Sequence, residues 1–227
     1  MNMNTLIVIV IFVLLLWSIS YLLQNYLLQN YLLQIETTNI IKKILFLDID
    51  DTLLRSDNIF VYFKEFSSSE EIKLSPNDYK TFANLYNKNH FDFRDFDNPY
   101  LIRNSIINSV PLTHNFEFIR NHIVNGWDLG ILTARGEENE IKKIIGIWLE
   151  QHLGIPFNLD YTHIHAVGDI HNKYPGETYS IKKLNVLIWY WNNSEYERIK
   201  LMDDSKQTID EITSYLPHQF EYYHVTN

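Results

Sequence analysis

Apolar and polar positions divide this chain into three regions of different rhythm. From Thr5 to Leu23 no residue is charged, and Leu6 to Trp17 is apolar throughout. Those nineteen residues would extend about 28 Å as a helix, close to the roughly 30 Å hydrocarbon depth of a bilayer. The pattern predicts a transmembrane or signal-anchor helix within residues 1–23 and a single-pass membrane location. The alternative is a signal peptide, cleaved to release a secreted domain, with Ser18 and Ser20 at small-residue positions. Against that, no Lys or Arg precedes the run. A short repeat follows: Tyr21-Leu-Leu-Gln-Asn, Tyr26-Leu-Leu-Gln-Asn, Tyr31-Leu-Leu-Gln. A period of five winds its polar residues around a helix and fits no heptad, so residues 24–42 read as a stalk and linker.

From residue 43 onwards, short buried-type runs alternate with helical stripes. Ile44 to Leu47, Trp127 to Leu132, Thr162 to Val167, Arg198 to Met202 and Phe220 to Val225 read as strands. Between them lie Phe116, Ile119 and Ile123, with Gly126 as C-cap. Ile141, Ile144, Ile145, Trp148 and Leu149 form a second stripe, the run from Ile181 to Trp191 a third, and Ile209, Ile212 and Leu216 a fourth. Strands alternating with helices of this length predict an α/β fold, a doubly wound and mostly parallel sheet over residues 43–227. Residues 57–111 break the rhythm with a polar, aromatic-rich stretch, read as a small inserted cap, helical in character.

Composition narrows the chemistry. Apolar residues make up 46% of the 227 and aromatics 15%, enough for a substantial core. A net charge of −9 with no basic face argues against an electrostatic nucleic-acid binder, though not against a substrate held by a metal ion. The absence of cysteine removes disulfides, thiolate catalysis and cysteine-ligated zinc.

The chemistry-bearing residues fall where the predicted strands end. Asp48-Ile49-Asp50-Asp51-Thr52 follows directly on Ile44 to Leu47, at the carboxyl edge where open α/β folds keep their ligand crevice. Two aspartates two residues apart there can divide labour, one as nucleophile or metal ligand and the other as acid/base. Thr133-Ala134-Arg135 follows the second strand and is expected to open a helix, offering a hydroxyl and free N–H groups to an anion. Lys182 and Lys183 open the helix after the third strand, placed to neutralise a phosphate or carboxylate. Asp203-Asp204 repeats the opening pattern of an apolar strand ending in acids. Asp48, Asp50 and Asp203 on one edge would make a hard, oxygen-rich site suited to magnesium. His163 and His165 share a strand face, but no third ligand has clear spacing, so polar strand residues are the better reading. Trp189 and Trp191 read as helix packing.

The ordered set Asp48-x-Asp50-x-Thr52, Thr133, Lys182 and Asp203-Asp204 resembles the haloacid dehalogenase superfamily of phosphohydrolases, over about Ile44 to Val225. The resemblance implies that Asp48 is the nucleophile, forming an aspartyl-phosphate, and that Asp50 protonates the leaving oxygen and then activates water. It implies that Thr133 hydrogen-bonds a phosphoryl oxygen and that Lys182 offsets charge. Mg2+ would be held by Asp48, Asp50 (through its backbone carbonyl), Asp203 and Asp204. Thr52, Arg135 and Lys183 remain as substrate-binding residues. An apolar residue before the lysine favours Lys182, while the phase of Val186, Leu187 and Tyr190 favours Lys183. An acid at Asp50 resembles the phosphatases of the superfamily, and Asp51 stands where the family more commonly has glycine. Thr133-Ala134-Arg135, the helix with Trp148-Leu149, and Gly168-Asp169 are also similar to the 3′-phosphatase half of phage polynucleotide kinases. The segment from Phe91 to Pro99 resembles uncharacterised viral members of the superfamily. The expected partner is a small phosphorylated metabolite or nucleotide, a 3′-phosphate end not being excluded. The alternatives are a membrane-anchored glycosyltransferase using a D-x-D metal motif, which needs no such ordered set, and a catalytically inactive protein binding a phosphorylated ligand.

Overall fold

The computed structural model describes residues 17–26, 41–168, 174–215 and 220–226, which fall into two compact units, Met1–Ile41 and Lys42–Asn227. In the first unit a helix, α1, covers residues 17–26. These ten residues span about 15 Å and include Ser, Gln and Asn. No helix among the described residues is long and apolar enough to cross a membrane. That finding overturns the expected single-pass anchor; the earlier part of the proposed span and residues 27–40 of the stalk lie outside the described residues.

The second unit opens on β1 (Lys43–Leu47) and then makes a long excursion: β2 (Leu54–Arg55), β3 (Val61–Phe63), β4 (Ile72–Leu74), α2 (Pro76–Ala83), β5 (Phe91–Asp92), α3 (Pro99–Ile107) and β6 (Val110–Pro111). Regular alternation follows: α4 (Phe116–Val124), β7 (Asp128–Thr133), α5 (Glu138–Leu153), β8 (Leu159–Ala166), α6 (Tyr179–Asn193), β9 (Arg198–Asp203), α7 (Lys206–Tyr215) and β10 (Glu221–His224). Five strands form one parallel sheet in the order β10-β9-β1-β7-β8.

The central strand is covered on both sides, which is why it reads as an unbroken apolar run. Successive side chains point to opposite faces. Leu45 and Leu47 join Phe116 and Ile119 of α4 and Ile141, Ile145 and Trp148 of α5. Ile44 and Phe46 join Leu184, Leu187 and Tyr190 of α6 and Ile209 and Ile212 of α7. Each such side chain, fully buried, contributes about 1.5–3 kcal/mol. Helices therefore cover both faces of a mostly parallel sheet, as the alternation predicts. Gly126, at φ +75°, turns the chain out of α4 into β7, with its N–H on the Ile123 carbonyl and that of Trp127 on the His122 carbonyl.

The excursion departs from the helical cap expected over 57–111. It holds a three-stranded antiparallel sheet, β4-β3-β5, beside two helices, and its ends are joined by the antiparallel pair β2 and β6. Aromatic and β-branched residues favour extended backbone at Val61-Tyr62-Phe63. The helices begin only where Ser75 and Asn98 accept backbone N–H groups just before Pro76 and Pro99. The insert touches the sheet edge at Gly136, whose N–H donates to the Phe96 carbonyl at 3.1 Å. A Cβ at Gly136 would lie 2.7 Å from Asp97 Oδ1 and 2.9 Å from that carbonyl oxygen.

Candidate active site

The ends of β1 and β9 lie side by side because Leu47 pairs with Met202, and the Asp48 N–H donates to the Met202 carbonyl at 3.0 Å. The next residues on each strand are thereby brought together. Asp48, Asp203 and Asp204 each offer an oxygen, all within 4.8 Å of one another. Between them comes a lysine from α6. Lys183 Nζ donates to Asp48 Oδ1 at 2.9 Å and to Asp203 Oδ2 at 2.7 Å, with the side chain almost wholly buried. The Ser205 N–H donates to the other oxygen of Asp203 at 2.8 Å.

Here the expectation that Lys182 supplies the charge is corrected: Lys183 is the lysine in the cluster. Thr178 caps α6 by accepting the Ile181 N–H. That start puts Lys183 on the buried stripe with Leu184, Val186, Leu187 and Tyr190. Lys182, one residue earlier, is only half-buried and holds its Nζ 5.7 Å from the centre of the Tyr179 ring.

Burial pushes the Asp48 carboxyl up to about 8; Lys183 pulls it down, while Asp203, Asp204 and Asp50 push it further up. Burial also works against the Lys183 ammonium, but Asp203 and Asp48 outweigh it and hold its pKa above the ordinary lysine value. Three carboxylates and one ammonium leave a charge deficit that a single divalent cation would neutralise. The donors are hard oxygens, so the residues present fit magnesium.

Asp50 has a different environment from the one expected. Its carboxylate is not in the three-acid cluster but is gripped by Arg135, which donates from Nε to Oδ2 at 2.8 Å and from Nη2 to Oδ1 at 2.7 Å. Arg135 has no solvent exposure and also donates to the Ser105 and Ser56 hydroxyls at 2.6 and 2.7 Å. Sequence reasoning placed Arg135 against substrate; in the structure it positions Asp50. Ser56 and Ser105 were not foreseen, because neither belongs to a motif and tertiary packing alone brings them to Arg135. About a fifth of the Asp50 side chain stays open to solvent.

Thr133 ends β7 and accepts the Arg135 N–H at 3.3 Å. It does not open a helix as expected: α5 starts five residues later, after Glu137 at φ +54°. Thr52 is fully buried and its hydroxyl lacks a partner among the described residues. Asp51 sits at φ +56°, the left-handed region that glycine enters freely and aspartate tolerates. This accounts physically for the residue type at the tight turn in which Leu53 and Leu54 both donate to the Ile49 carbonyl.

No family model matches this chain, and no curated protein matches it in sequence. The chemistry is therefore read from the geometry: a buried carboxylate beside a fixed ammonium and further acids, and a second carboxylate set apart by an arginine fork.

Proposed function

We propose that the chain is a magnesium-dependent phosphohydrolase of the haloacid dehalogenase type, acting through an aspartyl-phosphate on a small phosphorylated metabolite or nucleotide. The observation that carries this reading is the insertion of Lys183 between Asp48 and Asp203, with Asp50 on the same loop but outside the cluster. An Asp48 oxygen attacks phosphorus, forming the new P–O bond as the substrate's alkoxide or aryloxide leaves. Asp50, oriented by Arg135 and partly open to solvent, takes up a proton from water, passes it to that leaving oxygen, and as the carboxylate then takes one from the water that cleaves the acyl phosphate. Lys183 offsets the negative charge gathering between nucleophile and phosphoryl group, and the Thr133 hydroxyl hydrogen-bonds a phosphoryl oxygen. Asp48, Asp203 and Asp204 would hold the cation, which supplies charge neutralisation at the phosphoryl oxygens.

The test is hydrolysis of an aryl phosphate by the full-length chain with and without Mg2+, beside Asp48→Asn and Asp50→Asn. Magnesium-dependent turnover is expected, abolished in Asp48→Asn and lowered on the order of 10²–10⁴-fold in Asp50→Asn, the span of general acid–base catalysis. Turnover that survives in Asp48→Asn would exclude the aspartyl-phosphate route.

A further inference from the structure

The sequence shows no basic run, yet the pairing of β1 with β9 gathers three cations at the amino edge of the sheet, the edge away from the acid cluster. Lys43 opens β1 and pairs with Arg198, which opens β9. Lys200 stands two residues further along β9, so alternation puts it on the same face as Arg198. Trp127, buried just before β7, is shared by all three. The Lys43 and Lys200 Nζ atoms and the Arg198 guanidinium carbon lie 5.9, 5.1 and 5.2 Å from its ring centre. Lys200 interrupts the apolar middle of β9, and only 15% of its side chain is exposed. With Asn121 and His122 of α4 and Asn125 just after it, these side chains line a cavity of about 290 Å³.

Charge does not balance within the cavity. Among the described residues, Glu221 is the one carboxylate paired with these cations. Arg198 donates to it from Nε at 2.9 Å and from Nη2, and Lys200 Nζ lies 2.9 Å from its other oxygen. Burial pushes the Glu221 carboxyl up, but Arg198 and Lys200 outweigh it and hold the group below its ordinary value, so it counts as a full negative charge. Lys43 Nζ donates to a neutral group, the Asn125 carbonyl, at 2.7 Å. His122 adds no charge. Its Nδ1 faces the Phe118 carbonyl at 2.8 Å and so carries the proton, which leaves the Nε2 lone pair to accept from Lys200 Nζ at 3.0 Å. Burial, with Lys200 and Arg198 beside it, also pushes His122 below the ordinary histidine value. Three cations against one carboxylate leave two positive charges, in a chain whose net charge is −9.

We propose that this cavity is a binding site for a phosphate dianion, free or carried by a small phosphorylated molecule. The two charges of such a group match the excess. Donors match as well: beyond the bonds above, Lys43 Nζ keeps two hydrogens, Lys200 Nζ one and Arg198 Nη1 two. A guanidinium offers phosphate a planar pair of donors, and an ammonium adds a compact charge. The indole attracts each cation only modestly and neutralises none, so packing over Trp127 does not account for three like charges kept together. The site is separate from the proposed chemistry. Lys43 and Asp48 stand five residues apart along β1, about 16 Å in extended chain, so a ligand here touches none of the clustered acids.

Nothing here depends on the phosphohydrolase reading, and the test reads binding instead of turnover. Inorganic phosphate and glycerol 3-phosphate are each titrated by calorimetry into the full-length chain at about pH 8, where phosphate is chiefly dianionic. A chelator is present, and sodium chloride holds the ionic strength constant. The chelator keeps the acid cluster without a cation, so its carboxylates repel phosphate. Binding at one site per chain is expected, weakened about 10- to 100-fold in Lys43→Gln, the value of a hydrogen bond to a charged group, and unchanged in Asp48→Asn. Lys43 has no carboxylate partner among the described residues, so its removal leaves no acid unpaired. Asn121→Asp keeps every cation but adds an acid to the cavity lining. It should weaken binding too, so the test survives if Lys43→Gln fails to fold. Tighter binding of the ester would assign the site to a phosphorylated small molecule, and tighter binding of inorganic phosphate to the free ion. Binding of neither anion by the unsubstituted chain, or binding undiminished in Lys43→Gln and Asn121→Asp, would overturn the proposal. So would binding lost in Asp48→Asn alone, which would place the phosphate at the acid cluster.

Discussion

An arginine without solvent exposure must place its donors on protein atoms, and Arg135 does so on Asp50, Ser56 and Ser105. Removing the guanidinium would leave a carboxylate and two buried hydroxyls without their donor. Arg135→Met is expected to cost about 3–5 kcal/mol in denaturant unfolding, the range for breaking one side of a buried pair. Arg135→Lys keeps the charge but cannot fork to both oxygens, so its loss should be smaller while turnover still falls. The two lysines of α6 give a sharper contrast. Lys183→Met strips Asp48 and Asp203 of their shared cation and should abolish turnover. Lys182→Met should stay within about 0.5 kcal/mol of the unsubstituted chain, as surface changes usually do, measured in the same unfolding assay. The phase that separates these residues was legible: Lys183 stands three, four and seven residues before Val186, Leu187 and Tyr190. Helical periodicity was a better guide than the residue type preceding the lysine, because burial follows the 3.6-residue turn. The partnership of Arg135 with Ser56 and Ser105 was not legible, since it joins three segments by tertiary packing alone.

Elements were readable in proportion to how completely the fold buries them. β1 and β7 carry continuous apolar runs, β9 one broken only by Lys200, and all three end in residues of the site, so both strand and chemistry could be placed from their order. β2 to β6 are two or three residues long, too short for a period of two to register, and the insert was accordingly read as helical. The start of α5 was misplaced for a different reason. Between Thr133 and Glu138 the chain is held by close backbone contacts that need glycine, and the sequence shows the glycines but not their neighbours. At Gly168 the N–H donates to the Arg135 carbonyl at 3.0 Å, and a Cβ would fall 2.1 Å from the Ala134 carbonyl oxygen. Gly168→Ala must therefore push the Thr133–Arg135 loop away from β8. A loss of about 1–3 kcal/mol is expected, as for other overpacked sites, with a fall in turnover larger than the stability loss alone would give. Thermal unfolding and kinetics on the same preparation would check it; unchanged turnover would show that the loop position does not govern the site.

At the scale of the whole molecule, folding gathers like charges that the unfolded chain keeps apart. Asp48 moves from 3.8 to about 8, chiefly by burial, so the folded state binds its proton more tightly than the unfolded state does. The contribution is favourable below the unfolded value and is lost as pH rises through the folded one. Without a divalent cation, stability should therefore decline between about pH 4 and pH 8. A cation held by Asp48, Asp203 and Asp204 acts in the opposite sense, because it favours the ionised carboxylates it binds. Its stabilisation should be small at the acid end of that window and grow toward the basic end. At a concentration one hundred times its dissociation constant, a ligand specific for the folded state contributes about 2.7 kcal/mol. For a chain of this size that corresponds to a rise in Tm of about 5–11 °C. Thermal unfolding with Mg2+ or a chelator at both ends of the window, repeated on Asp48→Asn, separates the parts of the argument. The variant should lose the Asp48 share of the metal-free decline, because an amide cannot ionise, and should gain less from Mg2+ with one oxygen donor altered. A magnesium effect that is equal at both ends would mean that the cation binds elsewhere than at the buried acids. A metal-free decline unchanged in Asp48→Asn would mean that another group carries the charge that folding confines.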